Sequence, residues 1–123
     1  MEHIIKFVAK NKEILFCCDS RGTRNGFAHD ATLFINGIRA SEGHCYYLNR
    51  TWEHWRFQTV CLTAVQNHID VRMQDLKDDY KAENGISRVV GDKRKAELQA
   101  IWDSDSELIL YRDIKQTLRE RCF

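Results

Sequence analysis

A strand written in alternating residues, Ile38 to Leu48, passes through Asn49-Arg50-Thr51 into a long amphipathic pattern opened by Trp52 and Trp55 and carried to Tyr80. A period of two that gives way within one turn to a period near 3.6 reads as a strand feeding a helix. Thr51 supplies a side-chain oxygen for the N-cap, and Glu53 sits near the positive end of the helix dipole. Phe57, Cys61, Ala64, Val65, Ile69, Leu76 and Tyr80 then form an apolar stripe, and Asn84-Gly85 is the expected stop.

The fifty residues before this junction read as an antiparallel meander. Apolar runs Ile4–Ala9 and Ile14–Cys18 flank the polar turn Lys10-Asn11-Lys12-Glu13, and Phe27–Ile35 follows a loop from Ser20 to Gly26. Asn36-Gly37 between two apolar runs is a hairpin signal, because both residues tolerate positive φ. Alternation in the fourth strand sets Ile38, Ala40, Tyr46 and Leu48 toward the core and Arg39, Ser41, Tyr47 and Asn49 away from it. Glu42 and His44 interrupt the apolar face, so an edge, a bulge or a polar pocket is expected there.

After the long helix, Asp92 is placed to cap a short helix carrying Leu98, Ile101 and Trp102. Ser104-Asp105-Ser106-Glu107 has capping-box spacing for a last helix with a buried stripe of Leu108, Tyr111, Ile114 and Leu118. Strands first and helices afterwards predict an α+β fold: an N-terminal antiparallel meander of about four strands, a long amphipathic helix and two shorter C-terminal helices. Residues 1–123 read as a single domain.

Composition narrows the function classes. The 19 basic and 18 acidic residues leave a formal charge of +1, so any attraction to nucleic acid or an anionic membrane needs a local patch. No apolar run reaches membrane-spanning length, and Met1-Glu2-His3-Ile4-Ile5-Lys6 lacks a signal-peptide pattern, so a cytoplasmic protein without a membrane partner is expected. Five cysteines in odd number and without a CxxC pair argue for reduced thiols.

Reaction chemistry has no strong candidate. His44-Cys45 and Cys17-Cys18 are sequence neighbours on strands, where adjacent side chains point to opposite faces. The five histidines show no HExxH spacing, and Asp70, Asp75 and Asp79 on the long helix lack the strand-borne partners of common nucleases. Phosphate loops and nucleophile elbows are absent, so the expectation is a non-enzymatic protein without cofactor or metal.

Two kinds of binding surface remain. Asp75, Asp78, Asp79 and Glu83 crowd the end of the long helix and suit a basic partner by charge complementarity. At the strand-to-helix junction, Tyr46, Tyr47, Trp52, Trp55, Arg56 and Phe57 have the composition of an interface hot spot, or equally of residues packed over the sheet. The alternative is a DNA- or RNA-binding regulator. It would use Arg21 and Arg24 on the hairpin loop together with Arg88, Lys93, Arg94 and Lys95, with Arg112, Lys115, Arg119 and Arg121 further on.

Tyr47-Leu48-Asn49-Arg50-Thr51-Trp52-Glu53, followed by Arg56-Phe57-Gln58 and Val60, resembles a strand-to-helix motif in small proteins of phages and mobile elements from Gram-positive bacteria. The resemblance spans about a third of the chain. It implies an inhibitor of bacterial defence, an anti-CRISPR protein whose partner is an effector of the Cas9 type. The matching residues are those expected to build the junction, so no inhibitory residue is carried over.

Overall fold

A computed structural model describes residues 2–24, 26–47 and 55–121, with backbone only at Glu2, Tyr46, Tyr47, Trp55 and Arg56. Four strands, β1 (Glu2–Ala9), β2 (Lys12–Gly22), β3 (Phe27–Ile35) and β4 (Ile38–Tyr47), form one antiparallel sheet in the order β1-β2-β3-β4. Three helices follow, α1 (Trp55–Glu83), α2 (Asp92–Ser104) and α3 (Ser106–Glu120), and the architecture is the α+β meander-then-helices arrangement that the sequence predicts. Thr51 and Glu53, expected to cap and charge the start of α1, lie outside the described residues.

The turns are tighter than the sequence suggests. Lys10 and Asn11 (φ 50° and 63°) connect β1 to β2 alone, because Lys12 and Glu13 already pair with Ala9 and Val8. Asn36 and Gly37 (φ 50° and 80°) make the expected two-residue hairpin. The loop expected from Ser20 to Gly26 shrinks as well, since Ser20, Arg21 and Gly22 continue β2 opposite His29, Ala28 and Phe27. At its tip the Thr23 N–H donates to the Gly26 carbonyl at 2.7 Å.

The core-facing set predicted for β4 is corrected by a bulge. Leu33 pairs with Ser41 but Phe34 pairs with Arg39, so Ala40 is an extra residue. One inserted residue exchanges the two faces of the strand beyond it. Ser41, Gly43 and Cys45 therefore face the helices, while Glu42 and His44 take the open face, opposite Thr32 and Asp30. Ser41, predicted to point away, donates its hydroxyl to the Ala64 carbonyl at 2.6 Å. Ile38, predicted as core, is 74% exposed beside the turn.

α1 lies over β3 and β4 and buries Phe57, Val60, Cys61, Ala64, Val65 and Ile69. His68 lines one cavity with Ile35, Ile38 and Ala40 at the end of the sheet, so the fifteen residues that follow carry α1 about 22 Å past that level. α2 packs on that projecting half: the Trp102 indole N–H donates to the Met73 carbonyl at 3.1 Å, and the Tyr80 hydroxyl donates to Glu97 Oε2 at 2.6 Å. Gly85 (φ 61°) closes α1 as a Schellman motif, with Gly85 N–H to Ala82 O and Ile86 N–H to Lys81 O.

α3 returns antiparallel to α1 and covers the rest of the sheet with Leu108, Tyr111, Ile114 and Leu118 buried, as predicted. Its start differs from the expectation. Ser104 ends α2 and donates back to Ala100 O, and Asp105 is the cap, accepting from Leu108 N–H at 3.0 Å. Asp92 is likewise the first residue of α2, which Gly91 (φ 91°) precedes without a side-chain cap.

Asp105 does a second job by taking both Nε and Nη2 of Arg72 at 3.1 and 2.8 Å, which ties α3 to α1. The guanidinium holds the Asp105 carboxyl below the ordinary aspartate range, against the opposing effect of burial. A carboxyl whose folded pKa is depressed stabilises the fold above its unfolded value of about 3.9 and loses that contribution as pH falls through the folded value. Asp105→Asn should therefore cost about 2 kcal/mol at pH 7. Urea titrations across pH should show the gap to wild type closing below about pH 4, and a gap independent of pH would contradict the assignment.

Candidate macromolecular interface

The projecting half of α1 carries the predicted acidic residues. Asp75, Asp79 and Glu83 recur at four-residue spacing, which stacks them on one exposed helix face, and Asp78 flanks them. Asp78 accepts from Gln74 Nε2 at 2.9 Å and lies 3.4 Å from Lys81 Nζ. Among the described residues no salt bridge holds Asp75, Asp79 or Glu83. Local energetics oppose this arrangement twice: like charges at i,i+4 repel, and carboxylates stand at the negative end of the helix dipole with Lys81 as the basic residue of the last turn.

The predicted basic residues fall into two groups that the fold keeps apart. Arg21 and Arg24 belong to the β2–β3 hairpin, near where α1 begins, since Phe57 packs edge-on against His29 with centroids 6.0 Å apart. In sequence, Arg88, Lys93, Arg94 and Lys95 follow the other end of α1, a helix about 43 Å long, and Lys93 and Arg94 line a cavity with Asn84 at that end. Arg94 is half-buried beside Tyr80 and Glu97, and the hydrogen bond to Glu97 pushes the Tyr80 hydroxyl pKa upward. One short duplex contact cannot join the two groups.

Arg21 is further engaged on the open face of the sheet, where its Nη1 meets Asp30 Oδ2 at 2.5 Å. Asp30 Oδ1 lies 2.6 Å from His44 Nδ1, His44 Nε2 lies 3.6 Å from Glu42, and Glu42 pairs with Arg39. This chain of alternating basic and acidic side chains crosses β2, β3 and β4, and the bond to His44, with Arg21 beside it, lowers the Asp30 pKa. Sequence reasoning missed the network. Its one signal was the Glu42/His44 pair two residues apart, which marks a polar strand face but names no partners on the neighbouring strands.

Around the network the open face is mixed. Ile4 and Val8 are exposed, and a cavity of about 320 Å³ is lined by His3, Ile4, Cys17, Cys18, Asp19, Asp30 and Thr32. Tyr47 ends β4 opposite Phe27 and Trp55 opens α1, so both proposed contact residues sit at the junction, but their side chains lie outside the described residues.

The fold separates the neighbouring reactive pairs as strand geometry demands. Cys17 is exposed on the open face and Cys18 buried against α1; His44 is on the open face, whereas Cys45 faces Thr63 with Sγ and Oγ1 3.6 Å apart. Asp70 accepts from Gln66 Nε2 at 2.8 Å. Among the described residues no three His, Cys, Asp or Glu side chains converge as metal ligands, and no helix is long and apolar enough to cross a membrane. Comparison with known proteins returns no family model, no curated relative and no solved structure that matches this chain.

Proposed function

We propose that this chain inhibits a bacterial defence effector of the Cas9 type by binding it, with the Asp75, Asp79 and Glu83 face set against a basic nucleic-acid channel. The observation that carries the reading is the exposed row of carboxylates, free of salt bridges among the described residues, on a helix that extends beyond its own sheet. Carboxylates spaced along a rod present charge to a channel built to hold a phosphate backbone. The resemblance of the Tyr47–Val60 segment to phage and mobile-element proteins supports the same class of partner.

The test is target-DNA cleavage by a purified effector–guide complex, with and without the protein. Wild type should slow cleavage, and Asp75→Lys/Asp79→Lys/Glu83→Lys should need at least about tenfold more protein for the same effect, about 1.4 kcal/mol of binding. Equal potency of the variant, or an inert wild type, would sink the proposal. Tight binding of labelled duplex or single-stranded DNA by the protein alone at low salt would instead transfer the reading to a nucleic-acid regulator that uses Arg24, Lys93 and Lys95.

A further inference from the structure

Within the helix–sheet interface, Cys18 of β2 and Cys61 of α1 place their sulfurs 3.4 Å apart. Both side chains are buried, Cys18 at 3% exposure and Cys61 at 0%. Phe16, Ala31, Val60 and Val65 belong to the same buried cluster as the two thiols. A disulfide needs sulfurs about 2.05 Å apart, so closure asks for an approach of ~1.4 Å.

We infer that Cys18 and Cys61 are an oxidation site, which a hydroperoxide converts to a disulfide joining β2 to α1. Cys18 is the entry point because it retains 3% exposure, whereas Cys61 is fully enclosed. In the first step the Cys18 sulfur attacks one peroxide oxygen: an S–O bond forms, the O–O bond breaks, and the departing hydroxide leaves as water with the thiol proton. The Cys61 sulfur then attacks the sulfenic sulfur, forming the S–S bond as the S–O bond breaks. The second hydroxide leaves as water with the Cys61 proton. Two thiols lose two electrons and one peroxide gains them.

The hydrogen bond from Cys61 lowers the Cys18 pKa, and the same contact together with burial raises that of Cys61. Oxidation would close a loop between residues 43 apart in sequence, which contains β3, β4 and the strand-to-helix junction. Cross-linking so long a loop restricts the unfolded chain and resists separation of helix from sheet.

The test treats fully reduced protein with hydrogen peroxide, unfolds it, alkylates the remaining thiols and maps cross-links in a non-reducing digest. The expected product is monomeric, lighter than the reduced chain by two hydrogens, and joins the peptides that carry Cys18 and Cys61; dithiothreitol reverses it. The oxidised protein should also melt several degrees above the reduced form. Cys17→Ser should leave the cross-link intact and Cys61→Ala should abolish it. Wild type in which both thiols stay open to alkylation, or a cross-link that survives Cys61→Ala, overturns the inference without depending on how any variant folds.

Discussion

Gly43→Ala should destabilise the fold by about 3 kcal/mol or more, the high end for an overpacked contact, read as a large drop in the urea midpoint at unchanged slope. A Cβ at this position would lie 2.5 Å from Ala64 N, 2.6 Å from Val60 O and 3.0 Å from Ala64 Cα. All three are backbone atoms of α1, so no side-chain rotation relieves the clash and the whole helix must retreat by about 1 Å from β4. That retreat works against contacts on both sides: the Ser41 hydroxyl to Ala64 O at 2.6 Å and the Asn67 amide to Glu42 O at 2.9 Å. It also opens the packing of Val60 and Ala64, both fully buried. Ser41→Ala, which removes one hydrogen bond without adding volume, should cost about 1 kcal/mol and serves as the comparison. A Gly43→Ala protein within about 1 kcal/mol of wild type would mean that α1 does not approach β4 this closely.

Gly43 illustrates what was legible in the sequence and what was not. The stripes of α1 and α3 were readable because helix periodicity is local: Phe57 to Ile69 and Leu108 to Leu118 declare a buried face without reference to anything else in the chain. The Asn36-Gly37 hairpin was readable for the same reason. The bulge at Ala40 depends on where β3 stops pairing evenly with β4, so alternation alone carried the wrong residues to the core face beyond it. Ser104 and Asp105 show a finer limit. Both are good caps one residue apart, and the choice fell to Asp105 because Arg72, 33 positions earlier, engages the same carboxylate.

The candidate surfaces divide along the same line. Asp75, Asp79 and Glu83 share a helix face by spacing, so the acidic row was visible before any tertiary structure. That the row lies past the end of the sheet follows only from the position of His68 at the β3–β4 turn. The network of Arg21, Asp30, His44, Glu42 and Arg39 needs three strands in one register. Its consequence for function is that Arg21, which looks available in a loop, is bound to Asp30 on a strand, while the acidic row keeps its charge exposed.

Phe16→Ala should cost about 3–5 kcal/mol, whereas Leu15→Ala, one residue earlier on the same strand, should cost about 1 kcal/mol. Phe16 is fully buried under the helices and lies 6.3 Å from the ring of Phe7. β2 is an interior strand, hydrogen-bonded to β1 and β3 on either side, so its backbone cannot sink into the cavity that truncation leaves. The loss is then the transfer free energy of the ring plus the cost of an uncollapsed void. Leu15 stands on the opposite face between Lys6 and Phe34, half-exposed, where water fills the space left by a shorter side chain. The pair of variants weighs the two faces of one strand against each other by chemical denaturation. Costs of similar size would show that the open face is covered as thoroughly as the helical one. The expected inequality leaves Ile4, Leu15 and Phe34 as apolar surface in contact with water.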